Sequence, residues 1–551
     1  MIFSKYRLIA FLLLGCSLTA TAQSGVSEVW CADCGDGTYR NPIIHADYSD
    51  PDVVRAGDDY WMTASSFNCT PGLPLLHSTD LVNWTIAGYA LRELTPTDYF
   101  TAPQHGKGVW APCIKYHDGQ FYIYWGDPDF GIYMIRTADP RGAWSEPVLV
   151  KAGKGLIDPS PLWDDDGRVY LAHAWAASRA GLNNIITLVE LNADGTKVIS
   201  DETMIFDGND GVNFTVEGAK LYKRDGYYYL FVPAGGVSTG WQLVARSRDI
   251  HGPYEARTVM AQGTTAINGP HQGAWVETPT GESWFVHFQD KDAYGRVVHL
   301  NPMRWTDDGW CVIGEDRDGD GCGEPVSRWR KPAVGTTAAV CTPQESDGFD
   351  AAAPGLQWQW HANPQQWFGF GSGYGFYRIY ACRDAFTNFW TIPNLLLQKF
   401  PAERFTATTK LRFASKSEGD CAGLLVMGFD YARVGIIRRG DKAAIEMAVC
   451  RDADRDTAEQ TFVVDEIPLT KSDSGAVPLL TTDVWLRVEV SEGAQCRFSY
   501  STDGKHYKPL NTLFTASAGR WIGAKVGLYC VNNATKGNRG WIDADWFRIT
   551  K

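Results

Sequence analysis

The stretch "AGDDYWMTAS", residues 56–65, places a Gly-Asp turn ahead of a run in which aromatic and polar residues alternate. It reads as the tip of a β-hairpin and its return strand. The same phrase recurs as "HDGQFYIYW" (117–125), "DDGRVYLAH" (165–173), "RDGYYYLFV" (224–232) and "PTGESWFVHF" (279–288). The tips are spaced by roughly 50 to 60 residues, enough for one four-stranded sheet with its loops, which is the period of a propeller blade. Five repeats predict five blades. The aromatic content, Trp 22, Tyr 24 and Phe 25, fits strands better than helices.

About eight to ten residues before each tip, where the first strand of each hairpin must begin, stand Asp50, Trp110, Asp158, Glu217 and His271. Innermost strands of a propeller surround a central channel, so equivalent strand starts converge at one mouth. An Asp before Pro, as in "SDPDV", is by itself a common turn starter, and a single histidine is more often a satisfied core residue. The shared phase favours a site. Carboxylates crowded on one axis repel, so one should hold a proton near neutral pH while another stays ionised. Such a pair is the equipment of glycoside hydrolysis.

Composition excludes several classes. A formal charge of −13 with no dense basic cluster disfavours nucleic acid and anionic membranes. Residues 1–22 combine Lys5 and Arg7, an apolar run from Leu8 to Leu14 and a small-residue ending at Ala22, the pattern of a cleaved signal peptide. This predicts a secreted or periplasmic protein. "LLGC" leaves lipid anchoring at Cys16 as the alternative. No other apolar run reaches the roughly 18 residues of a spanning helix. Without Cys16 an even number of the 13 cysteines remains, with no pairing legible. The Cys31/Cys34 pair lacks a second pair that would complete a zinc site.

"NPIIHADYSDPDVVRAGDDYW", "GLIDPSPLWDDDGRVYLA" and "VEGAKLYKRDGYYYLF", in that order, resemble glycoside hydrolase family 43, the β-xylosidases and α-L-arabinofuranosidases. The resemblance runs from about Asn41 to Pro332. It implies Asp50 as general base, Glu217 as general acid and Asp158 as the carboxylate that orients Glu217 and raises its pKa, acting with inversion and without a cofactor for the chemistry. It further implies Arg296 as a substrate contact and His271 beside a calcium ion or a water cluster in the channel. Phe67 and Trp110 are candidate pocket walls, with core packing an equal rival. "DRDGDG", carrying Asp316, Asp318 and Asp320, begins like a calcium loop but has Ser327 where the bidentate glutamate belongs.

The expected organisation is all-β: signal peptide 1–22, five-bladed propeller 36–332, a Thr/Ala/Pro-rich linker 333–346, and a concanavalin A-like β-sandwich 347–551, read from short alternating strands such as "WLRVEV" and "AKVGLYC". Trp358, Trp360 and Trp367 could offer the sandwich a polysaccharide surface, though packing is the favoured reading. The expected function is exo-acting removal of terminal β-D-xylosyl or α-L-arabinofuranosyl units from hemicellulose. The alternative is a non-catalytic glycan-binding propeller.

Overall fold

A computed structural model describes residues 25–472 and 479–551; the expected signal peptide and Cys16 lie outside the described residues. Five four-stranded antiparallel sheets follow one another in chain order over residues 52–91, 110–152, 156–207, 220–260 and 271–313. Their first strands, Asp52–Ala56, Trp110–His117, Leu156–Trp163, Lys220–Arg224 and His271–Glu277, line the centre. Three of the five tips are two-residue turns, while the third and fifth span five residues, between Trp163 and Val169 and between Glu277 and Ser283. Asp118 and Gly119 have φ of 47° and 75° between the paired His117 and Gln120, and Asp225 and Gly226 repeat this at 50° and 76°. A turn with both central residues left-handed matches the twist of the flanking strands, and Asp-Gly adopts it at little cost.

The aromatic residues sit mainly between blades. Trp61, Phe121 and Trp125 join the first blade to the second, while Trp284, Tyr60 and Met62 join the fifth to the first. Each such side chain contributes about 1.5–3 kcal/mol through burial. The ring closes where the segment before the first blade pairs with the last: Val298 N–H donates to Ile44 at 3.1 Å, and Thr38–Arg40 pairs with Arg328–Arg330.

The C-terminal domain is a sandwich of two eight-stranded sheets around one core that includes Leu424, Val434, Leu486 and Phe547. Trp358 and Trp360 are buried in that core, 2% and 7% exposed, and Trp367 is covered by Arg539 at 4.0 Å, so packing accounts for all three. The segment 333–346 carries no strand, yet it is held down: Thr342 and Glu345 accept hydrogen bonds from Ser27, and Cys341 N–H donates to Asn83. The twelve described cysteines are all free. Among the described residues no helix is long and apolar enough to cross a membrane.

The domains share a broad contact. Trp360 and Thr70 exchange backbone hydrogen bonds, Asn363 caps Leu94 and Thr97, and Tyr294 reaches Glu403, Ser491 and Ala494. A sandwich loop, residues 519–524, lies on the propeller through Gly523 N–H to Asp47 at 3.0 Å and Ala524 N–H to Ala293 at 2.7 Å.

Candidate active site

Each innermost strand begins with one left-handed residue: Asp50 (φ 55°), Ala111 (34°), Asp158 (55°), Gly218 (62°) and Gln272 (37°). Non-glycine residues rarely take this conformation, and Asp is among those that tolerate it best. The recurrence gives the repeated phase a physical form and corrects it by one residue. Asp50 and Asp158 occupy the kink itself, whereas Trp110, Glu217 and His271 precede it. Two residues further along, Asp52 and Lys220 pair at 3.7 Å within the channel.

Asp50 is 5% exposed. Its Oδ2 accepts from Ser49 Oγ at 2.8 Å and Ser65 Oγ at 2.5 Å, and Arg296 Nη1 lies 3.4 Å from Oδ1. Every partner is a donor, which suits a carboxylate. The Ser65 hydroxyl also accepts Ala111 N–H at 2.7 Å, so it stitches the first blade to the second while holding Asp50. Arg296 is fixed in turn by Ser49 at 2.7 Å, and its own N–H reaches Asp47 at 2.9 Å.

Asp158 has a different environment. It is 1% exposed and accepts one N–H, from Gly218 at 2.6 Å. Burial pushes its carboxyl well above the usual carboxylate range, and the charges of Glu217 and Asp50 add to that. The sequence expectation gives Asp158 the role of orienting Glu217 and raising its pKa; the same burial and like charges favour the protonated form of Asp158 itself. Glu217, with 23% of its side chain exposed, faces the pocket, and its Oε1 lies 2.9 Å from His271 Nε2.

These groups meet in a pocket of about 80 Å³ lined by Asp50, Asp158, Glu217, Arg296, Phe67 and Trp110, so six of the seven residues singled out by sequence share one cavity. Phe67 and Trp110 stand edge to face at 6.3 Å. The seventh, His271, lies beneath, fully buried, against Glu217. Its Nδ1 has no partner. Around it the channel offers the neutral groups of His287, Asn301 and Gln289, and burial holds His287 down to about 4. Among the described residues no second carboxylate joins Glu217 at His271, so these residues do not fit a directly held calcium ion. The one described cluster with metal-ligand spacing is Asp316, Asp318 and Asp320, where Arg304 already neutralises Asp316 at 2.9 Å.

Of the five lining residues that sequence reasoning missed, Ala111, Ile157, Val237, Gln272 and Trp521, the last two carry polar or aromatic chemistry. Gln272 lines the cavity, and its buried Oε1 has no partner. The strand-start phase could have found it one residue after His271. Trp521 comes from the sandwich loop, stands 6.0 Å edge to face from Trp110 and lies under the Arg296 guanidinium at 5.8 Å. No local pattern announces it.

Two family models match the chain: glycosyl hydrolases family 43 over residues 39–311, and the β-xylosidase C-terminal concanavalin A-like domain over residues 346–550. A putative β-xylosidase of Xylanibacter ruminicola is 38% identical over 500 residues, covering 90% of this chain and 86% of that protein. A non-reducing end α-L-arabinofuranosidase of Bacteroides ovatus is 28% identical over 93% of this chain and 94% of its own. The crystal structure of a xylan β-1,4-xylosidase from Bacillus halodurans superposes with a TM-score of 0.80 at 25% identity, covering 93% of this chain and 100% of that one. With both domains matched in order and the acidic pocket in the propeller, the chain is a glycosidase that belongs to glycoside hydrolase family 43.

Proposed function

We propose that the protein is an inverting, exo-acting glycosidase that releases terminal β-D-xylosyl or α-L-arabinofuranosyl units from hemicellulose fragments. Asp50 is the general base and Glu217 the general acid. The single observation that carries this reading is the contrast between the two carboxyls in one pocket: Asp50 is ringed by donors, while Glu217 is open to the cavity and touches only His271.

In this reading Asp50 takes a proton from a water as it attacks the anomeric carbon, and Glu217 delivers one to the departing oxygen. Asp158 and His271 position Glu217 from below. Arg296 keeps Asp50 oriented and offers a donor to the sugar, while Phe67, Trp110 and Trp521 pack against its ring faces. Water and the two carboxyls suffice for the chemistry, and no step is assigned to calcium. Relatives named as β-xylosidase, 38% and 31% identical, and one named as an arabinofuranosidase, 28% identical, support the two substrate classes. The basic and apolar leader supports export before the enzyme meets its substrate.

The test is proton NMR of the first-formed sugar from nitrophenyl β-D-xyloside and α-L-arabinofuranoside. Inverted configuration before mutarotation is expected; retained configuration refutes single displacement.

A further inference from the structure

The contact between propeller and sandwich holds a pair that the hydrolytic site does not use. Cys69 lies between two strands of the first blade, and Lys525 opens the strand Lys525–Asn532 of the sandwich. Both are buried, 2% and 4% exposed, and Lys525 Nζ stands 2.8 Å from Cys69 Sγ. Among the described residues Lys525 has no carboxylate within 4.0 Å, and the sulfur is the one acceptor its amine meets. A buried ammonium without an anion is costly. The distance is also unusual: about 2.7–3.2 Å is the range for a nitrogen donor and an oxygen acceptor, and sulfur is the larger atom.

The surroundings intensify this. Lys399 is a second amine nearby, pushed down to about 8 by burial and by the charge of Lys525. His105 and His361 share the cavity beside the pair, and burial keeps both well below the usual histidine range. None of these groups brings a negative charge to Lys525. A small cavity of about 20 Å³, walled by Cys69, Lys525, Trp390 and Ile522, adjoins the pair.

We propose that Cys69 and Lys525 form an oxidative covalent cross-link, nitrogen–oxygen–sulfur, that locks the sandwich onto the propeller. The oxidant is dioxygen. One N–H and one S–H bond break, and an N–O and an S–O bond form around one oxygen atom; the other oxygen leaves as water with the two hydrogens. Nitrogen and sulfur each give up two electrons, and dioxygen takes four. An ammonium–thiolate pair enters with the same atoms as an amine and a thiol. Linking residues 456 positions apart constrains the unfolded chain, as a disulfide would. The link also sits four residues beyond Trp521, so it pins the loop that completes the catalytic pocket.

The experiment is peptide mapping of the full-length protein purified in air without reductant. The expected product joins the Cys69 and Lys525 peptides, heavier than their sum by one oxygen and lighter by two hydrogens, and it separates on treatment with dithiothreitol. Thermal unfolding of the wild-type protein should shift to lower temperature with reductant, while Cys69→Ser should be indifferent to it. In Lys525→Arg, Cys69 should be fully alkylated after denaturation. Recovery of Cys69 as a free thiol in the air-purified wild type overturns the proposal, as does a link from Cys69 to Lys399 or to another cysteine.

Discussion

The two mouths of the propeller channel are made from the same five strands and differ in how their charges are arranged. At the far mouth, the ends of the innermost strands surround a hollow of about 450 Å³ with Tyr116, Trp163, Tyr222 and Trp275 in its walls. It is the larger and more aromatic of the two. Its ions are paired: Lys223 with Asp164 and Asp165, Arg224 with Glu277 at 2.9 Å. At the near mouth three carboxyls crowd a smaller pocket of about 80 Å³ with one guanidinium beside Asp50. Size and aromatic lining do not mark the reactive end; buried, unbalanced acid does.

Substitutions can break that contrast. Asp50→Ala removes the proposed base and should lower kcat by about 10²–10⁴-fold or more, with the circular dichroism spectrum unchanged. Activity within about tenfold of wild type would take Asp50 out of the mechanism. Glu217→Ala should discriminate between leaving groups. Natural oligosaccharides, whose alkoxide leaves poorly, should lose about 10²–10⁴-fold more than nitrophenyl glycosides, whose phenolate needs no acid. Equal losses would assign Glu217 to binding.

Smaller effects sharpen it. Trp521→Ala opens one wall of the pocket and should raise KM roughly tenfold, the scale of one lost apolar contact surface; an unchanged KM would show that the sandwich does not reach the substrate. Asp158→Asn should reduce turnover yet stabilise the fold. Below the ordinary carboxylate range Asp158 is protonated folded and unfolded, so nothing is gained. Above it the unfolded chain ionises first, and the native state is increasingly penalised as pH rises towards the raised value. Calorimetry at pH 7 should therefore show Tm up by a few degrees, about 0.5–2 kcal/mol, and no change near pH 3. Lys223→Ala at the far mouth should leave kcat/KM alone while lowering stability, because Asp164 loses its cation.

What the sequence showed follows from how local each signal is. Five Asp/Gly tips with aromatic return strands are short-range features, so the blades could be counted, and stepping back a fixed distance reached Asp50 and Asp158 at their kinks. The one-residue offset at Trp110, Glu217 and His271 depends on where each strand turns left-handed, which side-chain pattern does not encode. Trp521 and the Cys69 and Lys525 pair are contacts between residues hundreds of positions apart, made by loops without a period. The signal peptide stays an expectation from residues 1–22 alone.

The Ser65 hydroxyl, shared between Asp50 and the Ala111 N–H of the next blade, ties catalysis to the mechanics of the ring. If the first two blades part, that oxygen cannot keep both partners, and Asp50 swings free at the moment the seam opens. Heat inactivation should then precede or coincide with the first loss of tertiary signal. The enzyme would report its own loosening: residual activity would be a gauge of whether that seam is still shut.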